Sequence, residues 1–181
     1  AYDRLTIETW VEAAMKFFTS RNFAVTNAKD GRTYGYGRSV WAMIDTDTRQ
    51  PTDLLSIHDG LIKQYVESGK ACPIDKPSRV IVPQDAPLAN SFKALYSDVD
   101  INGHVNSVKY IEHVLDLFDI AYYRTHRLQR LEIAYVAEAH EGDNLCLHCQ
   151  QTSDNDYAVK MVKQGKENET VVRCCVKFVK V

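Results

Sequence analysis

Alternation of apolar and polar positions organises both ends of the chain. Residues 5–14, 17–27 and 33–45 are rich in β-branched and aromatic side chains and predict three strands, with a turn at Asn27-Ala-Lys-Asp-Gly31. Residues 128–139, 145–152, 157–163 and 170–179 predict a second meander. Its turns are Glu141-Gly-Asp-Asn144, Ser153-Asp-Asn155 and Gly165-Lys-Glu-Asn168. Ahead of this meander stand a strand at 88–96 and a helix at 105–123. On that helix Tyr110, Ile111, Val114, Leu115 and Phe118 recur at helical spacing and form an apolar stripe. The middle of the chain, 46–86, carries Pro51, Pro73, Pro77 and Pro83 and one short helical candidate, 59–67, and reads as a connection laid over the surface. The class implied is α+β, an antiparallel sheet with helices on one face.

The two ends resemble each other. Residues 4–14 align without gaps on 130–140, with Arg, Leu, Ile, Glu and Ala coinciding, and Gly37-Arg-Ser-Val-Trp-Ala-Met-Ile44 shares its pattern with Val172-Arg-Cys-Cys-Val-Lys-Phe-Val179. The repeat divides the chain into a partial first copy (1–50), a linker (51–86) and a second copy (87–181). The first copy begins where the second has already passed its strand and long helix. By this symmetry it lacks both, either because a segment precedes Ala1 or because the copy is built without them.

Composition narrows the partners. With 45% hydrophobic and 25% charged residues the chain is an ordinary globular protein, and a formal net charge of −2 gives no whole-protein attraction to nucleic acid or membrane. No run approaches the roughly 18 apolar residues of a membrane helix, and no signal peptide is visible. The five cysteines, Cys72, Cys146, Cys149, Cys174 and Cys175, are odd in number and irregularly spaced, which suits a reduced, cytoplasmic setting. Cys146-Leu-His-Cys149 has a metal-like spacing, yet it lies in an alternating run where positions three apart point to opposite faces of a strand. Structural cysteines are the expectation.

The densest chemistry sits where the long helix begins. Asp98, Asp100, Asn102, His104 and Asn106 fall within nine residues. Helix capping accounts for one or two such residues, because Asp and Asn accept orphan backbone N–H groups. It does not account for a histidine interleaved with them ahead of an apolar helix. A helix N-terminus carries partial positive charge and polarises a carbonyl placed there, and a nearby carboxylate positions or deprotonates a water. Asp100 suits that second role. Asn102 and His104 supply directional hydrogen bonds to the water or to the substrate oxygen.

Asp-x-Asn-x-His-Val-Asn-x-x-x-Tyr, present from Asp100 to Tyr110, resembles the signature of the acyl-acyl carrier protein thioesterases of plants and bacteria, bacterial type. Thr9-Trp10-Val11, Arg38-Ser-Val-Trp-Ala-Met43 with Thr48-Arg49, and Tyr135-Val-Ala-Glu138 extend the resemblance over nearly the whole chain. It implies tandem hotdog folds, each a sheet wrapped around a long helix, the first copy here lacking its first strand and helix. It also implies hydrolysis of fatty acyl thioesters of acyl carrier protein. The catalytic residues carried over are Asp100, Asn102, His104 and, on the second-copy strand, Glu138, with no cofactor and no metal. The cysteine that follows this glutamate in plant members is Ala139 here, so the resemblance leaves water attack rather than a cysteine nucleophile. Glu12, the repeat mate of Glu138, keeps a purely structural role open for both glutamates.

An acidic carrier protein calls for a basic docking surface, and Arg124, His126, Arg127 and Arg130 cluster after the long helix, with Lys63, Lys70, Lys76 and Arg79 along the linker. Either group also reads as an ordinary solvated face. An acyl-CoA thioesterase, a non-catalytic acyl-binding protein and self-association into a homo-oligomer stay open. Trp10, Phe17, Phe18, Phe23 and Trp41 suit an acyl-chain wall or a core equally well.

Overall fold

In the computed structural model, residues 2–165 and 168–181 are described. Lys166 and Glu167 of the expected turn at Gly165–Asn168 lie outside them. Contacts divide the chain into two compact units, Ala1–Pro77 and Ser78–Val181.

The first unit is a three-stranded antiparallel sheet of β1 (Leu5–Ala14), β2 (Phe18–Asn27) and β3 (Thr33–Ala42), in that order. The turn at Asn27 forms as expected: Gly31 N–H donates to the Asn27 carbonyl at 2.9 Å, and Gly31 has φ +73°. One sheet face is covered by the chain that follows. Trp10 and Ala24 pack against Cys72 and Ile74, and the Trp10 indole N–H donates to the Lys70 carbonyl at 2.9 Å. On the same face Arg38 Nη1 pairs with Glu12 Oε2 at 2.9 Å, and Asn22 Nδ2 donates to that oxygen at 3.3 Å. Phe18 and Trp41 are exposed within this unit, and only Trp10 of the five aromatic candidates is buried. The helix expected at 59–67 is instead a 3-10 segment over Leu54–Tyr65, interrupted at residues 57–60, where Gly60 takes φ +75° and both His58 and Asp59 are also left-handed.

The second unit is a five-stranded antiparallel sheet built from β4 (Leu88–Lys93), β5 (His126–Tyr135), β6 (Asn144–Ser153), β7 (Asp156–Lys163) and β8 (Glu169–Lys180), ordered β4-β6-β7-β8-β5. One face is apolar at period two: Leu145 and Leu147, Val159 and Met161, and Val172, Cys174, Val176 and Phe178 are all buried. Helix α1 (Ser107–Leu115) lays Tyr110 and Val114 against that face. Cys146 and Cys149 fall on opposite faces of β6, and all five cysteines are free thiols.

The single helix expected at 105–123 is two. After α1 ends, Asp119 starts a second helix, α2 (Ile120–Thr125), by accepting the Tyr122 N–H at 2.7 Å, and the Leu115 carbonyl accepts both the Phe118 N–H at 3.2 Å and the Tyr123 hydroxyl at 2.9 Å. Phe118, between the helices, packs edge-on to Tyr157 and Phe178 with ring centroids 4.8 and 4.7 Å apart. The strand expected at 88–96 stops at Lys93, and Tyr96–Asp98 closes a 3-10 turn. No helix among the described residues is long and apolar enough to cross a membrane.

Candidate active site

Residues 98–106 form a closed turn ahead of α1, held by their own backbone. Asp100 N–H donates to the His104 carbonyl at 2.8 Å, Gly103 N–H donates to the Asp100 carbonyl at 3.0 Å, and Val99 bridges Val105. Gly103 takes φ +79°, a conformation that costs other residues about 1–2 kcal/mol. The Asp100 side chain reinforces the turn, its Oδ1 accepting the N–H of Asn102 at 2.8 Å and of His104 at 3.4 Å.

Asp98 anchors this turn from beneath. It is 7% exposed; its Oδ2 accepts the Leu95 N–H at 2.8 Å, its Oδ1 lies 3.2 Å from His113 Nε2 on α1, and its carbonyl accepts the Asn106 N–H at 2.8 Å. Phe92 of β4 stacks on the His113 ring, centroids 3.6 Å apart. Asn106 is the helix cap, its Oδ1 accepting the Val108 N–H at 2.9 Å and its carbonyl accepting the Lys109 N–H at 2.9 Å. Capping therefore accounts for Asn106, while Asp100, Asn102 and His104 lie outside the cap.

Glu138 reaches the turn from the far end of β5. The strand expected to run to residue 139 stops at Tyr135, because the Val136 and Ala137 N–H groups converge on one acceptor, the Val171 carbonyl, at 2.8 and 3.3 Å. The chain then crosses to the turn at 98–106: Val105 N–H donates to the Ala139 carbonyl at 2.7 Å, and His104 bridges His140 antiparallel. Glu138 stands on this crossing segment and not on a strand. Its Oε2 lies 3.5 Å from His104 Nε2, with the His104 side chain about one third exposed (32%) and the Glu138 side chain about half (48%).

A cleft of about 270 Å³ opens here, lined by Asp100, His104 and Glu138 together with Ser107 at the start of α1, Tyr110 and Tyr135. The Asn102 side chain is exposed at the tip of the turn and does not line it. Burial pushes the Tyr110 hydroxyl up to about 12 and raises that of Tyr135, so both are neutral at physiological pH. The Tyr135 hydroxyl donates to the Ser107 carbonyl at 3.1 Å. Among the described residues no cysteine lines the cleft; burial pushes the Cys174 thiol up to about 12 and raises Cys149 and Cys175.

Sequence reasoning named Asp100, His104 and Glu138, which meet, and Asn102, which stands apart. It did not mark Tyr135 and Ser107 as lining residues, nor the imidazole of His140 beside His104, with ring centroids 5.0 Å apart at 82°. Nothing local to the turn signals Tyr135 and His140, which arrive by pairing with a distant segment, as in the His104–His140 bridge, whereas Ser107 lies within the signature itself.

Residues 82–180 match the family described as the acyl-ACP thioesterase C-terminal domain, and residues 1–65 match the acyl-ACP thioesterase N-terminal domain. The chain belongs to the acyl-ACP thioesterase family. Among solved structures, an acyl-ACP thioesterase from Bacteroides thetaiotaomicron is 47% identical, with a TM-score of 0.88 over 98% of this chain and 70% of that one. A chloroplastic palmitoyl-acyl carrier protein thioesterase of Gossypium hirsutum is 27% identical over 92% of this chain and 40% of its own length. Oleoyl-acyl carrier protein thioesterase 1 of Arabidopsis thaliana is 28% identical over 78% of this chain and 41% of its own. The chain thus spans about two fifths of the length of these curated acyl-ACP thioesterases. The 12:0-ACP thioesterase of Umbellularia californica, 18% identical with a TM-score of 0.80, shares the fold. The α+β hotdog class expected from the sequence is the observed one.

Proposed function

We propose that this protein hydrolyses fatty acyl thioesters of acyl carrier protein, by water attack in the cleft beside the start of α1. What carries the reading is the meeting of Asp100, His104 and Glu138 around one cleft, from two segments far apart in sequence. The 47% identical Bacteroides protein, an acyl-ACP thioesterase, supports carrier-bound substrate.

Asp100 has one carboxylate oxygen committed to the turn, whereas Glu138 reaches into the cleft opposite His104. We therefore give Glu138 the water. Its carboxylate takes a proton as the water oxygen bonds to the thioester carbonyl carbon, a contribution of about 10²–10⁴ in rate for a well-placed base. The oxyanion forms next to the positive end of α1, where suitably aimed donors each contribute about 10²–10³. The carbon–sulfur bond then breaks, releasing fatty acid, and the departing sulfur takes a proton delivered through His104. Asp100 positions His104 through the turn, and Asn102, at the turn's exposed tip outside the cleft, takes no part in the bond-breaking step. No cysteine enters this sequence.

Carrier docking belongs to the exposed Arg124, in the last turn of α2, and Arg127, just after it in β5. Arg130 suits docking less well, because its guanidinium pairs with Glu132 at 2.5 Å. The test compares one acyl chain presented on carrier protein and on CoA, with wild type and with Arg124→Glu/Arg127→Glu. The expected result is preference for the carrier substrate, with charge reversal lowering kcat/KM on that substrate alone. Equal turnover of the two wild-type substrates would reject the carrier assignment, and release of fatty acid from neither would make the protein an acyl-binding one.

A further inference from the structure

Beside the proposed catalytic pair stands a third metal-binding side chain for which the hydrolytic scheme has no use. His104, Glu138 and His140 each offer one donor atom, and these atoms lie within 4.8 Å of one another. Two imidazoles and a carboxylate are the donor set of several catalytic zinc sites, which leave a fourth position to water. It also suits the borderline transition metals as a class and disfavours calcium and magnesium, which prefer all-oxygen surroundings.

The backbone makes the grouping persistent. His104 and His140 face each other across an antiparallel bridge, and the adjacent Val105 N–H to Ala139 carbonyl bond, at 2.7 Å, locks the two segments in register. His140 is held from its other side by its own N–H, which donates to Asp143 Oδ2 at 2.9 Å. Zinc needs nitrogen and oxygen donors about 2.0–2.2 Å from the ion, closer than the present spread allows. Glu138 and His140 are exposed, so rotation about their side-chain bonds closes that gap without moving the backbone.

We infer that His104, Glu138 and His140 form a site for a single zinc-class ion, and that its occupation switches hydrolysis off. The ion takes the imidazole lone pair of His104 and the carboxylate of Glu138, the two groups assigned to proton transfer. The inhibitory half rests on the function proposed above; the binding half does not.

The test uses chain freed of metal with EDTA and then dialysed. Calorimetric titration with zinc chloride should give one ion per chain. His140→Ala should bind it about tenfold more weakly or worse, while keeping wild-type hydrolysis in EDTA. Cobalt substituted for zinc should show d–d absorption without a thiolate charge-transfer band, which separates this site from the cysteines. Zinc should inhibit wild-type hydrolysis reversibly, and His140→Ala should resist the same concentration. Unchanged zinc affinity in His140→Ala, or thiolate absorption with cobalt, would overturn the site. Activation by zinc, or equal inhibition of both proteins, would overturn its inhibitory role. Absence of hydrolysis in every sample would reject the catalytic reading and leave the binding measurements to decide the site.

Discussion

Two glutamates with the same place in the repeat do different work. Glu12 is tied into the sheet of the first unit, facing Arg38 at 2.9 Å and Asn22 at 3.3 Å. Glu138 has left its strand and faces a histidine across an open cleft. Substituting them should therefore have opposite consequences. Glu12→Gln should lower stability by about 1–2 kcal/mol, the cost of weakening a partly buried charged hydrogen bond, and leave the rate of hydrolysis unchanged. Urea unfolding and a thioester assay on the same protein read both effects. A large loss of activity with intact stability would mean that the Glu12 face takes part in the reaction. The alignment of the repeat shows that the two residues correspond, but not that their surroundings differ. That difference comes from their partners: Arg38 and Asn22 hold Glu12 against the sheet, whereas Glu138 stands opposite His104.

Among the elements, the turn at 98–106 and helix α1 act as one piece because Asp98 joins them. Its carboxylate spans the Leu95 N–H and His113 Nε2 while its carbonyl holds Asn106. Asp98→Ala should destabilise the chain by about 1–3 kcal/mol, since the partly buried Leu95 N–H and His113 Nε2 both lose their carboxylate partner, and should lower kcat by loosening His104. A melting curve unchanged from wild type would show that the anchor is dispensable. Tyr110, on the same helix, ties stability to alkaline pH. Its folded value is pushed up from 10.0 to about 12 by burial, so above pH 10 the folded chain binds more protons than the unfolded one. Stability is then whole below about pH 10 and is lost as pH rises toward 12. Chemical unfolding across that range should show a shallower decline for Tyr110→Phe than for wild type, and identical slopes would exclude the effect. Much of this level was legible in the pattern of residues. All eight strands among the described residues were expected, and Tyr110, Val114 and Leu115 of the apolar stripe do pack on the core. The break between α1 and α2 was hidden because Phe118 keeps the helical spacing while packing from a non-helical turn. The early end of β5 was hidden because Val136 and Ala137 continue an apolar strand-like run, and only their shared acceptor at Val171 stops it.

For the whole molecule, the chain belongs to the acyl-ACP thioesterase family, and the proposed catalytic cleft in the second unit is lined from within the Asp100–Tyr110 signature. Asp100 and His104 could be read from their spacing, and Glu138 from resemblance. Asn102 shares the same motif, yet the turn leaves it at the exposed tip, because Oδ1 of Asp100 draws in the backbone of residue 102 and not its side chain. In the proposed reaction His104 and Glu138 act together on a water molecule. Initial rates of fatty acid release from an acyl carrier protein thioester, measured side by side for wild type, His104→Ala and Glu138→Gln, test it most directly. Each variant is expected to fall by about 10²-fold or more. Rates equal to wild type in both variants would contradict it.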